Sequence, residues 1–236
     1  MAQDFTPGTI IARAFDIYRD NFAVLAGAAL LVFAVEAVAT LALPGGLAIL
    51  AAVVSIVLTT FYQGMVVRLV HDVQDGRRDS SVPELLRSVS PVVLPLIAVS
   101  ILAGLGIGIG LLFLIVPGLL LLTIWAVVAP VTVLEQPGIF AAFRRSRELV
   151  RGHGWAVFGT LVLVFVIILT AAVVAAVLGA AVGGDDIGEA VVGWLLNALV
   201  QPLAAVTAAV LYFALRPQHD EPPPAPVTYG GFAPPV

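Results

Sequence analysis

The chain contains no cysteine and no lysine, and only 11% of its 236 residues are charged. Without cysteine there can be no disulfide, thiolate metal site or cysteine nucleophile, and the redox compartment stays open. Without lysine the whole positive charge rests on eleven arginines, so their placement says more than the formal net charge of −4. Against this scarcity, apolar residues make up 61% of the chain and the mean hydropathy is +1.10. That balance lies far outside the range of soluble globular domains and predicts an all-α integral membrane protein. The opening MAQDFTPG has no basic n-region, and the apolar block after it is too long for a signal-peptide core and has no convincing cleavage site. The block is therefore expected to stay in the mature protein.

Six spans are expected, arranged as three hairpins, each led in by a short amphipathic helix. Thr6-Pro7 is a good helix start, a capping hydroxyl followed by proline at the first helical position. From there Ile10, Ile11, Ala14, Ile17 and Tyr18 gather on one side, and Arg13, Asp16, Arg19 and Asp20 on the other, which predicts an interfacial helix over 7–20. Spans over about 22–43 and 47–70 follow, joined by the uncharged turn Pro44-Gly45-Gly46; the first is roughly 33 Å of helix, enough to cross a bilayer core. Ser81 and Glu84 form a capping-box pattern with Val82, Leu85, Leu86 and Val89 on one face, a second interfacial helix over about 82–90. The apolar run from Val92 to Leu134, about 43 residues, is too long for one span and suits two, about 92–112 and 113–134, with a turn between Gly106 and Gly118. Spans over 155–182 and 189–215 flank the acidic turn GGDDIGE, and the proline-rich stretch 217–236 reads as a disordered or partly polyproline II cytoplasmic tail.

The densest charge lies in EQPGIFAAFRRSRELVRGHGW, Glu135 to Trp155, between two apolar blocks. On a helix over about 137–152, Arg144, Arg147 and Arg151 share one face, while Ile139, Phe143, Ser146 and Val150 line another. Such a helix lies in a membrane interface with its guanidinium groups toward lipid phosphates. Arg144, Arg145, Arg147 and Arg151 are thus the candidate contacts for anionic headgroups or a partner protein, with Glu148 in reach to hold one guanidinium fork ready. In the six-span scheme every arginine falls on one side and none on the other, where Asp185, Asp186 and Glu189 sit. By the positive-inside rule both termini are cytoplasmic. The proline-initiated helices from Pro7, Pro83 and Pro137 give the plan a weak threefold repeat.

Few side chains could carry chemistry. Glu36 stands inside the first span, where an ionisable group is costly and marks a functional candidate. Ser55, Thr123 and Asn197 fall at similar depth, with Gln201 one turn from Asn197. A protonated Glu36 bonded to Asn197 or Gln201 would serve as interhelical glue or as a relay for a proton or substrate. GLGIGIG at 104–110 holds two small-xxx-small pairs, Gly104 with Gly108 and Gly106 with Gly110, suited to close helix packing. Pro130 and Pro202 are each expected to kink a span and free a carbonyl, at Ala126 and Ala198. His71, His153 and His219 are scattered, so neither a metal nor another cofactor is expected, and no nucleic-acid partner is.

The run from Val116 to Gly159 carries a Pro-Gly opening a span (Pro117, Gly118), an aromatic in mid-span (Trp125), Pro130, Glu135, and then Ala142, Arg145, Ser146, Glu148, Leu149, Val150 and Gly152. This pattern resembles the membrane domain associated with bacterial glycerophosphoryl diester phosphodiesterases, and IIARAFDIYRDNF is similar to that family's opening. The resemblance implies a six-helix domain in the bacterial cytoplasmic membrane with no established activity of its own. The catalytic barrel rich in His, Glu and Asp that is sometimes fused to it has no counterpart in this sequence, so the enzyme activity does not carry over. The expected role is non-catalytic, a lipid-associated accessory or scaffold module whose loops or tail could also hold a partner protein. The alternative is a transporter of a lipid or lipid-derived small solute, using Glu36 and the kinked helices. One carboxylate without a partner acid, histidine or metal ligand makes a poor active site.

Overall fold

A computed structural model describes residues 6–42, 48–76, 87, 89–182 and 186–220. Among these the chain is helical, with no strand. The expected second interfacial helix falls largely outside the described residues, as do the turn at 44–46, Arg77, Arg78, Asp185 and the tail from 221.

Helix α1, Pro7–Asp20, starts as its sequence demands: the Thr6 hydroxyl accepts from the Thr9 amide while the Thr9 hydroxyl accepts from the Thr6 amide, closing a capping box ahead of Pro7. Its apolar stripe, Ile10, Ala14 and Ile17, is buried, and Arg13, Asp16 and Arg19 face out. At Asn21 the chain turns by 83° into α2, Phe22–Ala42. Helix α3, Ala48–Gln74, returns beside α2. A short 3-10 turn at Ser90–Val92 leads into α4, Val93–Phe113.

The turn between the third and fourth apolar segments is a single extended residue, Leu114. The fourth segment is broken in two, α5 over Ile115–Ile124 and α6 over Val128–Leu134. Helix α7, Ile139–Val150, carries the arginine face. It begins two residues later than the Pro137 start expected, because Gln136 (φ 50°) and Gly138 (φ 91°) sit in the left-handed region and keep the linker out of a helix. Arg151 consequently stands just beyond the last helical turn. Helix α8 spans Gly154–Val182, and α9 runs from Asp186 to Asp220, taking in residues read above as an acidic turn at one end and as tail at the other.

Consecutive long helices pack as hairpins, α2 with α3, α4 with α5 and α8 with α9. Helix α9 is the central post, touching α1, α2, α3, α6, α7 and α8, and it buries Val206, Ala209, Val210, Leu211, Tyr212 and Leu215. The core is one cluster, mostly aliphatic with Phe33, Tyr62 and Tyr212 set into it, and it draws on both α1 and α9. Among the described residues, five stretches are long and apolar enough to cross a membrane: Ala52–Gln74, Ser90–Phe113, Ile115–Leu134, Gly154–Ala180 and Gly193–Arg216. The bent pair Pro7–Asp20 and Phe22–Val38 passes the same test only when taken together as one broken segment, which makes the number up to six.

The two glycine pairs of GLGIGIG part company. Gly106 and Gly110 face α5: a Cβ on Gly106 would stand 2.6 Å from the Trp125 ring, and one on Gly110 would stand 2.8 Å from the Gly118 Cα. Gly104 and Gly108 have nothing within 4 Å, so only one pair serves the close packing expected of both. A Cβ on Gly118 itself would meet the Leu111 backbone nitrogen at 2.5 Å, where nothing flexible can move aside. Gly118→Ala is therefore expected to destabilise the fold by about 1–3 kcal/mol through overpacking. Gly104→Ala and Gly108→Ala should leave the unfolding midpoint in lipid nanodiscs unchanged or slightly raised.

Candidate functional site

Two polar layers cross the bundle. The inner one grows from the broken fourth segment. Pro130 lacks the N–H that would bond the Ala126 carbonyl, and between Ile124 and Val128 the helical ladder changes partners: the Val128 amide bonds Trp125, not Ile124. The orphaned Ile124 carbonyl accepts instead from the Ser146 hydroxyl of α7, at 2.9 Å. Trp125 packs edge-on against Phe143 one turn away, ring centroids 4.9 Å apart. At the C-terminal end of α6 an Arg68 guanidinium nitrogen donates to the Val133 carbonyl at 3.0 Å, a cation placed where the helix dipole is negative.

Glu135, which follows α6, joins three elements. One oxygen accepts from Arg145 Nε at 3.0 Å, and the other lies 3.3 Å from the same nitrogen and accepts from the Tyr212 hydroxyl at 2.9 Å. The carboxylate that meets an arginine here is Glu135, not Glu148, which is exposed. Arg145 is thus turned inward to the bundle, whereas Arg144, Arg147 and Arg151 are exposed. Ala142, Ser146, Leu149 and Val150 fill the opposite, buried face. Two aromatics flank the arginine face almost fully exposed, Phe140 at 81% and Trp155 at 88%.

The second layer lies at mid-helix. Glu36 accepts a short hydrogen bond from the Ser55 hydroxyl of α3. Of the other expected partners, the Asn197 side chain lies outside the described residues, and Gln201 lines a cavity. That cavity, about 230 Å³, has a mostly apolar wall from α2, α3, α6 and α9, into which Thr59, Tyr62, Gln63 and Gln201 bring the polar groups, with Pro130 at one side. Thr59 donates to the Ser55 carbonyl at 2.8 Å, and Tyr62 to the Leu25 carbonyl at 3.2 Å. Thr123, also expected at this depth, bonds back to Leu119 in its own helix.

Pro202 does not interrupt α9. The carbonyl next to the one it frees, Leu199, accepts from the Tyr18 hydroxyl of α1 at 2.9 Å, and burial pushes the Tyr18 phenol above its ordinary pKa. His71 lies 3.3 Å from Asp75 one turn along α3. Among the described residues no group of three His, Asp or Glu side chains could hold a metal ion.

Sequence reasoning missed Gln63, Tyr212 and the inward turn of Arg145. A glutamine inside an apolar span was a usable signal for the first. The other two depend on which helix stands opposite, and no local pattern reports that.

Arg145 and Glu135 are each about a quarter exposed or less, 24% and 21%, so their pairing is screened but not solvated away. Arg145→Ala should cost about 1–3 kcal/mol of stability, Ser146→Ala about 1 kcal/mol for the orphaned carbonyl, and Arg144→Ala under about 0.5 kcal/mol. Denaturant unfolding in mixed micelles would rank them, and equal losses in all three would contradict this geometry.

Among curated proteins and among solved structures nothing matches the chain. A family model described as a domain of unknown function, DUF8558, matches residues 85–222, from just before α4 to the end of α9. The match takes in the broken segment, the arginine-bearing helix and the central post, and on that extent the chain belongs to the DUF8558 family.

Proposed function

We propose that the chain is a six-span integral membrane protein of the bacterial cytoplasmic membrane, with both termini in the cytoplasm. On this reading it is a non-catalytic, lipid-associated accessory or scaffold module. The observation that carries it is the one-sidedness of α7: its apolar face is buried in the bundle, while Arg144 and Arg147 point away between the exposed rings of Phe140 and Trp155. Aromatics beside arginines on a helix that leads into a long apolar one are the pattern of a membrane–water interface.

Insertion is supported by the apolar surface of α8, where Val162, Phe165, Val166, Leu169, Val173 and Val177 stand exposed along a single face-to-solvent helix. A surface of that extent is stable only under lipid or protein. The 83° turn between α1 and α2 suits a helix lying in the interface followed by one crossing it. The resemblance to the membrane domain associated with glycerophosphoryl diester phosphodiesterases implies the same class of protein.

Each arginine near an anionic surface contributes about 1 kcal/mol. Arg144→Ala/Arg147→Ala/Arg151→Ala is therefore expected to lose bound phosphatidylglycerol by roughly tenfold or more relative to wild type in native mass spectrometry. Equal retention by both would sink the headgroup role. Topology has its own test in this cysteine-free chain. A membrane-impermeant thiol reagent should label Gly45→Cys in intact spheroplasts and Gly76→Cys only after permeabilisation; the reverse order would invert the orientation.

A further inference from the structure

The cavity at mid-helix is built differently from the arginine face and is independent of it. Gln63 on α3, half-buried, and Gln201 on α9, exposed at the cavity's edge, both line it, and among the described residues neither side chain hydrogen-bonds to the protein. Two unpaired amides in apolar spans are costly unless something in the cavity meets them. The backbone is irregular at the same place, since the cavity wall includes Ala126, Ala129 and Pro130 beside the break in the fourth segment. Irregular backbone at such depth is tolerated where it is buried in protein or lines a water-filled cavity.

The lining also states what it would accept. The hydroxyl hydrogens of Thr59 and Tyr62 are committed to the Ser55 and Leu25 carbonyls, so their oxygens offer lone pairs to the cavity. Each glutamine adds one acceptor and an NH2 donor. Among the described residues no arginine, aspartate or glutamate lines the space. Glu36, one turn along α2 from Phe33, is engaged by Ser55. A ligand matching this set is uncharged, carries several hydroxyls that both donate and accept, and is small, because about 230 Å³ is below the usual volume of a site for a drug-sized molecule.

We propose that this cavity is a binding site for a small, uncharged polyhydroxy solute, held between Gln63 and Gln201. The probe is erythritol, read by saturation-transfer-difference NMR on the purified full chain, with 1-butanol as the apolar molecule of equal carbon number. Wild type should transfer saturation to erythritol, and Gln63→Leu/Gln201→Leu should lower the transfer about tenfold through loss of two polar contacts. The unfolding midpoint of that variant should hold or rise, since no internal hydrogen bond is removed. A fall in midpoint with unchanged transfer would make the glutamines structural and overturn the proposal. No transfer in the wild type would leave a water-filled pocket and overturn it equally. Should the double variant fail to fold, competition in the wild type decides. Displacement of erythritol by the four-carbon polyol threitol and not by 1-butanol supports the site, and displacement by 1-butanol overturns it. The Arg144→Ala/Arg147→Ala/Arg151→Ala variant should bind erythritol as wild type does, so this site and the headgroup face fail separately.

Discussion

A backbone carbonyl with no amide to bond is the constraint from which much of this fold follows. Pro130 removes one donor from the fourth apolar segment, and the ladder slips at Trp125–Val127 rather than at the proline itself. In an apolar surrounding an unmet carbonyl costs several kcal/mol on the order of magnitude seen for buried amides. Ser146 therefore has to come from another helix, and bringing it there places α7 flat against the break. Once α7 is seated, Arg145 reaches Glu135 and Glu135 reaches Tyr212 on the central post. The arginine face is presented outward because its own helix is fastened from behind.

Adjacent arginines meet opposite fates for the same reason. Arg144 and Arg147 are exposed, Arg145 is paired, and Arg68 is spent on the end of a helix. Side-chain type is identical in all four. What separates them is the direction each leaves its helix, about 100° per residue apart, and whether a carboxylate or carbonyl stands there.

That the chain is helical, with several long apolar helices, was legible in run length alone, because in such segments helix is the one conformation that satisfies the backbone internally. The Thr6–Thr9 cap was half legible: Thr6 and Pro7 announce it, while the reciprocal bond from Thr9 replaces the usual acidic partner. The glycines show the limit. Gly104/Gly108 and Gly106/Gly110 have the same spacing, and only the position of Trp125 and Gly118 on the next helix makes one pair packed and the other open. Glu36 was conspicuous as a lone acid, but depth along a helix does not report azimuth, so the sequence left open which polar groups at its level it meets, Ser55 among them. Gln63 stood out as an amide inside an apolar span, but what it faces was not legible.

Helix α1 packs on α8 and α9, not chiefly on the α2 it leads into. Its Tyr18 bonds Leu199 on the last helix, some 180 positions away along the chain. Helix α1, made long before α9, thus has no finished seat until α9 exists. During that interval Ile10, Ala14 and Ile17, which end up buried, are without their partners. The bundle is fastened like a clasp whose two halves, α1 and α9, lie far apart along the chain, with the hairpins between them held inside the closure.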